Sequence, residues 1–272
     1  MRHKFIEIEG VKVHYVEAGR GNSDLVLIHS WPMSWKVFDR LIPFLDNNYH
    51  LIALDLPGFG RSGEMSSAHT SKEYLPLIEA LLDKLKISKY FVVGISYGSI
   101  LAVRLALRKP ERVRGLIING LPYYHKRLAS RTTRALARQV VNRKAMGRIF
   151  HVYNKSRVKK NSYFLSHQYI NKYISAKKLK SYFDEFKQYS NRAARESLAE
   201  VLKVDMRDEL KRLKQPVLVI AGLQDALIKL KHQGEAVSLM SDGYLVCIDK
   251  ADHACVVEHP REFANQIRKF VS

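Results

Sequence analysis

Gly94-Ile95-Ser96-Tyr97-Gly98 is the segment best suited to chemistry, lying between the apolar run Tyr90-Phe91-Val92-Val93 and the helical pattern Ile100-Leu101-Ala102-Val103-Arg104-Leu105. A serine flanked by glycines at a strand-to-helix junction is the G-x-S-x-G nucleophile elbow. The spacing has a physical reason. The sharp turn strains the backbone at the serine, and neighbouring chain passes close to the residues two before and two after it, so both must be small. The Ser96 hydroxyl is thereby presented above a sheet edge at a helix N-terminus, where free N–H groups favour negative charge developing on a substrate.

A serine hydroxyl is a poor nucleophile at neutral pH and needs a base, which in turn needs a carboxylate to fix its tautomer. The run Pro216-Val217-Leu218-Val219-Ile220-Ala221 ends in Gly222-Leu223-Gln224-Asp225, and Tyr244-Leu245-Val246-Cys247-Ile248 ends in Asp249-Lys250-Ala251-Asp252-His253. Both Asp225 and His253 therefore fall in loops just beyond the C-terminal ends of strands, in the chain order Ser, Asp, His that accompanies the elbow. Among 11 histidines, position singles out His253; His259, before Pro260, reads as a helix-start or surface residue. Asp249 and Asp252 read as turn or solvent groups, and Asn119 would orient the base less well than Asp225 because an amide stabilises imidazolium less well.

An oxyanion hole requires two backbone N–H groups. One is expected from Tyr97, after the nucleophile, and the other from the loop His29-Ser30-Trp31-Pro32 after the third strand, with Trp31 as the donor. Gly58-Phe59-Gly60-Arg61-Ser62-Gly63 matches G-x-G-x-x-G but lies outside an early strand-to-helix unit, so it argues weakly for a nucleotide. No cofactor is called for, and no group of residues has the spacing of a metal site.

These residues need a sheet to hold them. Short Val/Ile/Leu-rich runs predict eight strands near 5–8, 12–18, 25–29, 49–54, 90–94, 114–119, 217–221 and 244–248. Amphipathic patterns predict helices near 35–45, 71–86, 98–108, 229–240 and 260–270, with Pro110 ending the third and Pro260 opening the last. Strand–helix alternation implies mostly parallel order after an antiparallel lead-in. Between Pro122 and Pro216 there is no proline and Gly147 is the only glycine, which reads as helix. The expected organisation is a core of 1–122 and 213–272 interrupted by a helical cap at 123–212.

Charge follows the same division. The 272 residues contain 46 Lys and Arg against 26 Asp and Glu, for a net charge of +20. From Arg112 to Phe183 there are 18 basic and no acidic residues, leaving the rest of the chain nearly neutral. A hydrophobic fraction of 46% supports a full core and excludes global disorder. No apolar run approaches the roughly 18 residues of a membrane span. The alternating Phe5-Ile6-Glu7-Ile8 near the N-terminus reads as a strand rather than a signal core. Two cysteines, Cys247 and Cys255, make no disulfide framework and read as small buried hydrophobes, consistent with a reducing cytoplasm.

Together the His29-Ser30-Trp31-Pro32 loop, the Asp55-Leu56-Pro57-Gly58-Phe59-Gly60-Arg61-Ser62 loop, the Ser96 elbow and the Asp225 and His253 loops resemble the α/β-hydrolase superfamily. The resemblance implies an α/β fold with an eight-stranded, mostly parallel sheet, helices on both faces and an inserted cap over the site. Family members carry glycine where this chain has Ser30, a departure that reduces backbone freedom in the oxyanion loop. Ser96 sets the chain apart from the aspartate-nucleophile dehalogenases and epoxide hydrolases. The resemblance implies a serine esterase acting on a small-molecule ester, with C–C bond hydrolases as an alternative. The loop around Gly58 and the Trp31 position also look like the carrier-protein methyl ester esterases of biotin synthesis. The basic segment then has three readings: a solvated face, a dock for an acidic carrier protein or anionic surface, and nucleic-acid binding, for which no recognised motif is present.

Overall fold

The structure, a computed structural model, describes residues 1–124 and 188–272. The expected cap falls mostly on 125–187, outside the described residues. Eight strands form one sheet: β1 (Arg2–Ile8), β2 (Val11–Ala18), β3 (Asp24–Ile28), β4 (His50–Leu54), β5 (Tyr90–Ile95), β6 (Val113–Asn119), β7 (Val217–Gly222) and β8 (Gly243–Ile248). Their spatial order is β1-β2-β4-β3-β5-β6-β7-β8. β1, β2 and β4 are paired antiparallel and every other pairing is parallel. All eight strands lie where the hydrophobic runs place them.

Alternation along β3 shows how both faces are covered. Val26 and Ile28 join the cluster containing the helical residues Ile78, Leu81 and Leu101, whereas Leu25 and Leu27 join Trp35, Phe38, Phe263 and Ile267 on the other face. The first layer comprises α1 (Ser71–Lys84), α2 (Tyr97–Arg108), α3 (Asn191–Val201), α4 (Arg207–Lys211) and α5 (Leu230–Val237). The second comprises α6 (Cys255–Glu258), α7 (Pro260–Val271) and the segment following β3. A sheet buried on both faces needs apolar side chains in both directions, which is why its central strands read as unbroken apolar runs.

Two expectations are corrected. The helix expected at 35–45 is two short 3₁₀ turns, Trp35–Phe38 and Ile42–Phe44. Pro43 supplies no amide to a continuous α-helix, and Ser34 caps only the first turn, accepting a 3.3 Å hydrogen bond from Lys36 N. Cys255 is buried as expected, but Cys247 is exposed. β8 is one of the sheet's two edge strands, with Tyr244 also exposed.

The site-forming feature is a reversal of chain direction within the sheet. The chain passes from β3 outward to β4, then returns to place β5 on the other side of β3. Such a switch point opens a crevice beyond the C-terminal ends of the two strands. The loop carrying Trp31 leaves β3 there, and Ser96 leaves β5.

Candidate active site

Ser96 lies between β5 and α2 with φ of 51° and ψ of −111°. This left-handed φ in a non-glycine residue is the strained conformation expected of the elbow. The flanking glycines are held by packing: a Cβ on Gly98 would lie 2.1 Å from Ile28 O, and one on Gly94 would lie 2.5 Å from Gly98 O. The Ser96 amide donates to Asn119 O at 2.8 Å, tying the elbow to the end of β6. Tyr97 is the first residue of α2, a position whose amide has no acceptor inside the helix.

Asp225 and His253 are brought together by the loops after β7 and β8. Leu223 N donates to Ile248 O at 3.1 Å and Gln224 N to Ala251 O at 2.9 Å, lashing the loops side by side. His253 Nδ1 donates to Asp225 Oδ2 at 2.9 Å. The other carboxylate oxygen, Oδ1, accepts from Leu227 N and Ile228 N, both at 2.8 Å. With Nδ1 occupied, Nε2 is left as the proton acceptor. The Asp225 side chain is buried while that of His253 keeps 20% of its surface open, so the base remains reachable. Burial opposes charge on His253, but Asp225, Asp252 and Glu258 outweigh it and hold its pKa above the ordinary 6.5.

Ser96 and His253 each contact the end of β6. Asn119 binds the Ser96 amide, and the next residue, Gly120, has φ of 63° and lies so close to the imidazole that a Cβ there would be 2.4 Å from His253 Cε1. One residue step along the chain thus separates the contact to Ser96 from the contact to His253. Asn119 does not orient the histidine: its Nδ2 donates to Ile220 O at 2.9 Å and to Cys255 Sγ at 3.6 Å.

Asp252, expected in a turn or in solvent, is buried. Its Oδ1 accepts from His253 N at 2.7 Å and from Ala226 N at 3.2 Å, joining the acid and base loops. Beneath it, buried Glu258 accepts from Asp252 N at 2.7 Å through Oε2. Burial together with nearby Asp252 and Asp225 pushes the Glu258 carboxyl up to about 7. The sequence offers a signal for Glu258, since a carboxylate in a short apolar run before the Pro260 helix has no obvious solvent role.

The loop after β3 is held by His29. Fully buried, it donates from Nδ1 to Ser30 O at 2.9 Å and accepts at Nε2 from Leu56 N at 3.0 Å. That pattern requires a neutral ring, and burial pushes its pKa down accordingly. Ser30 is not among the described non-glycine residues with positive φ, so glycine's extra backbone freedom is not needed at this position. The Trp31 indole donates from Nε1 to Ala194 O on α3 at 2.8 Å. The Gly58–Gly63 segment closes on itself through Gly58 N to Gly63 O at 2.8 Å and wraps buried Asp55, which accepts from Arg61 N at 2.9 Å. Its glycines serve this loop and not a strand-to-helix phosphate cradle. Among the described residues there is no cluster of metal-ligating side chains and no helix long and apolar enough to cross a membrane.

Several known proteins are similar to this chain. A pimeloyl-[acyl-carrier protein] methyl ester esterase of Photobacterium profundum is 30% identical over 259 residues, covering 93% of this chain and 96% of that protein. An uncharacterized hydrolase of Saccharomyces cerevisiae is 42% identical over 124 residues, and that match spans only 43% of its length and 44% of this chain. A bromoperoxidase from Bacillus anthracis superposes with a TM-score of 0.84 over 99% of both chains at 21% identity, a likeness of fold. The sequence model of the alpha/beta hydrolase fold matches residues 25–260. The chain belongs to the α/β-hydrolase fold family.

Proposed function

We propose that the chain is a serine hydrolase that cleaves carboxylic esters through an acyl-enzyme on Ser96. The observation carrying this reading is the pair of contacts at the end of β6: Asn119 holds the strained nucleophile turn, and Gly120 abuts a histidine whose Nδ1 is committed to Asp225. His253 takes the Ser96 proton as the hydroxyl attacks the ester carbonyl. The amides of Tyr97 and Trp31 stabilise the tetrahedral oxyanion. The alcohol leaves with the proton held by His253, which then activates water to release the acid. Asp225 orients the imidazole and stabilises its cationic form without taking a proton itself.

Within this reaction class, the resemblance to an acyl-carrier methyl ester esterase and the 18 basic residues between Arg112 and Phe183 favour a substrate presented on an acidic carrier protein. Basic residues on the segment inserted before α3 would attract such a carrier, with an association rate that falls as salt rises. A substrate panel tests both levels of the reading. Free p-nitrophenyl and methyl esters, and methyl esters on an acidic carrier, are compared with wild type and Ser96→Ala. Loss of at least 10³-fold in turnover in the variant is expected, with carrier-bound methyl esters preferred at low salt. Retained turnover in Ser96→Ala would remove Ser96 from the mechanism, and equal rates on free and carrier-bound methyl esters would remove the carrier.

A further inference from the structure

Helix α3 lies C-terminal to the basic segment, and it is fastened to both elements that present the proposed oxyanion donors. The Trp31 indole donates to Ala194 O at 2.8 Å. Further along the same helix, Glu200 Oε2 accepts from the Tyr97 hydroxyl at 2.8 Å and from Ser71 N at 2.9 Å. Its other oxygen, Oε1, accepts from Ser71 Oγ at 2.5 Å and pairs with the Arg104 guanidinium. Arg104 also donates to Glu209 on α4 at 2.8 Å. The Tyr97 ring is 1% exposed and stacks edge-on against Tyr74 at 6.3 Å. Burial and Glu200 raise the pKa of the Tyr97 phenol well above its ordinary 10, so it remains a donor.

A carboxylate engaging three protein donors and a guanidinium is an unusually complete anchor for one tyrosine hydroxyl. Structural demand alone does not explain it, since a buried phenol needs only one acceptor. Glu200 instead connects three objects: the first turn of α1 through Ser71, the first residue of α2 through Tyr97, and its own helix α3. Tyr97 is the residue whose backbone amide faces the oxyanion in the proposed mechanism. Its side chain is fixed at the far end, leaving the amide little freedom to rotate.

We infer that Glu200 is a positioning residue for the oxyanion hole, acting through the Tyr97 hydroxyl, and that α3 sets the geometry of both oxyanion donors. This inference rests on the serine-hydrolase reading, because it presumes that the Tyr97 and Trp31 amides stabilise an oxyanion. It assigns no contact between Glu200 and substrate. Displacement of α3 would alter both donors together.

The test measures kcat, KM and inhibition by a phenylboronic acid, which forms a tetrahedral adduct, for Tyr97→Phe, Glu200→Gln and the double variant. Each single change is expected to lower kcat about tenfold, a fraction of the 10²–10³ that removal of an oxyanion donor costs, with KM within about twofold. Boronic acid affinity should fall by the same factor, and the double variant should be no worse than the more impaired single one, because both changes cut one connection. Glu79→Gln, which breaks the ion pair with Arg108 on the same helix α2, serves as the structural control and should alter thermal stability alone. Unchanged kcat and boronic acid affinity in Tyr97→Phe, or multiplicative losses in the double variant, would overturn the inference. If Glu200→Gln fails to fold, Tyr97→Phe, which lacks one oxygen atom, decides the matter. Failure of the underlying reading is seen separately, as full turnover in Ser96→Ala.

Discussion

The two halves of the candidate site are held in different ways. Asp225 and His253 sit in adjacent loops whose supports are local: Asp225 is fixed by the amides of Leu227 and Ile228, and His253 by Asp252, itself held by Glu258 six residues on. The oxyanion half is held across the molecule. Trp31 is secured by a carbonyl 163 residues away, and Tyr97 by a carboxylate 103 residues away. Local supports tie Asp225 and His253 to their own loops, whereas the distant ones tie Trp31 and Tyr97 to α3. In the proposed mechanism this difference separates proton transfer from charge stabilisation, so that each is expected to be perturbed without the other.

The largest effect is expected from Asp225→Asn. The amide cannot hold the imidazole in the productive tautomer as a carboxylate does, and kcat should fall about 10⁴-fold. The pH profile sharpens the assignment. Activity requires neutral His253, so it is lost as pH falls through the pKa of the folded protein, and the acid limb of wild-type kcat/KM should lie above 6.5 because the carboxylates raise it. In Asp225→Asn the largest of those raising influences is gone while burial remains, so the limb should move to lower pH. A limb that does not move would assign the titration to another group.

A smaller, purely thermodynamic effect is expected from Glu258→Gln. Folded Glu258 keeps its proton up to about pH 7, while the unfolded chain releases it near the ordinary 4.5. Between these values the folded state binds more protons, so its stability falls as pH rises through the window, by on the order of 3 kcal/mol for this group. Glutamine can still accept from Asp252 N but cannot ionise, and chemical denaturation from pH 4.5 to 7.5 should show a correspondingly flatter dependence. An unchanged slope would mean that Glu258 is not the group carrying it.

The sequence exposes the two halves unequally for the same reason. The placement of Ser96, Asp225 and His253 is legible because each sits at a fixed offset from a strand end, and strand ends follow from runs such as Leu218-Val219-Ile220-Ala221. The central strands are readable in this way because both their faces are buried and their apolar runs are unbroken, and the edge strands by length and apolar content despite one exposed face. The segment at 35–45 is less legible: Trp35, Phe38, Leu41 and Ile42 do line the core, but that spacing is also met by two 3₁₀ turns separated around Asp39 and Arg40. Cys247 belongs to an apolar run yet is exposed, because edge position is a property of sheet order and not of local pattern. Asp252 is polar and beside a turn, and only the packing of the β7 and β8 loops reveals why it is buried. Glu200 lies in the outwardly polar stretch Arg195-Glu196-Ser197-Leu198-Ala199-Glu200, where no offset marks it; its partners come from α1 and α2.

The central claim is that Ser96 is the acylated nucleophile, and trapping the covalent adduct tests it most directly. The protein is treated with a fluorophosphonate ester, whose phosphorus is attacked by an activated serine with loss of fluoride, then digested and mapped by mass spectrometry. The account predicts one adduct per chain on the peptide containing Gly94-Ile95-Ser96-Tyr97-Gly98, abolished by Ser96→Ala and slowed severely by Asp225→Asn. An adduct on a different residue, or ester turnover by wild type with Ser96 left unmodified by the reagent, would contradict it.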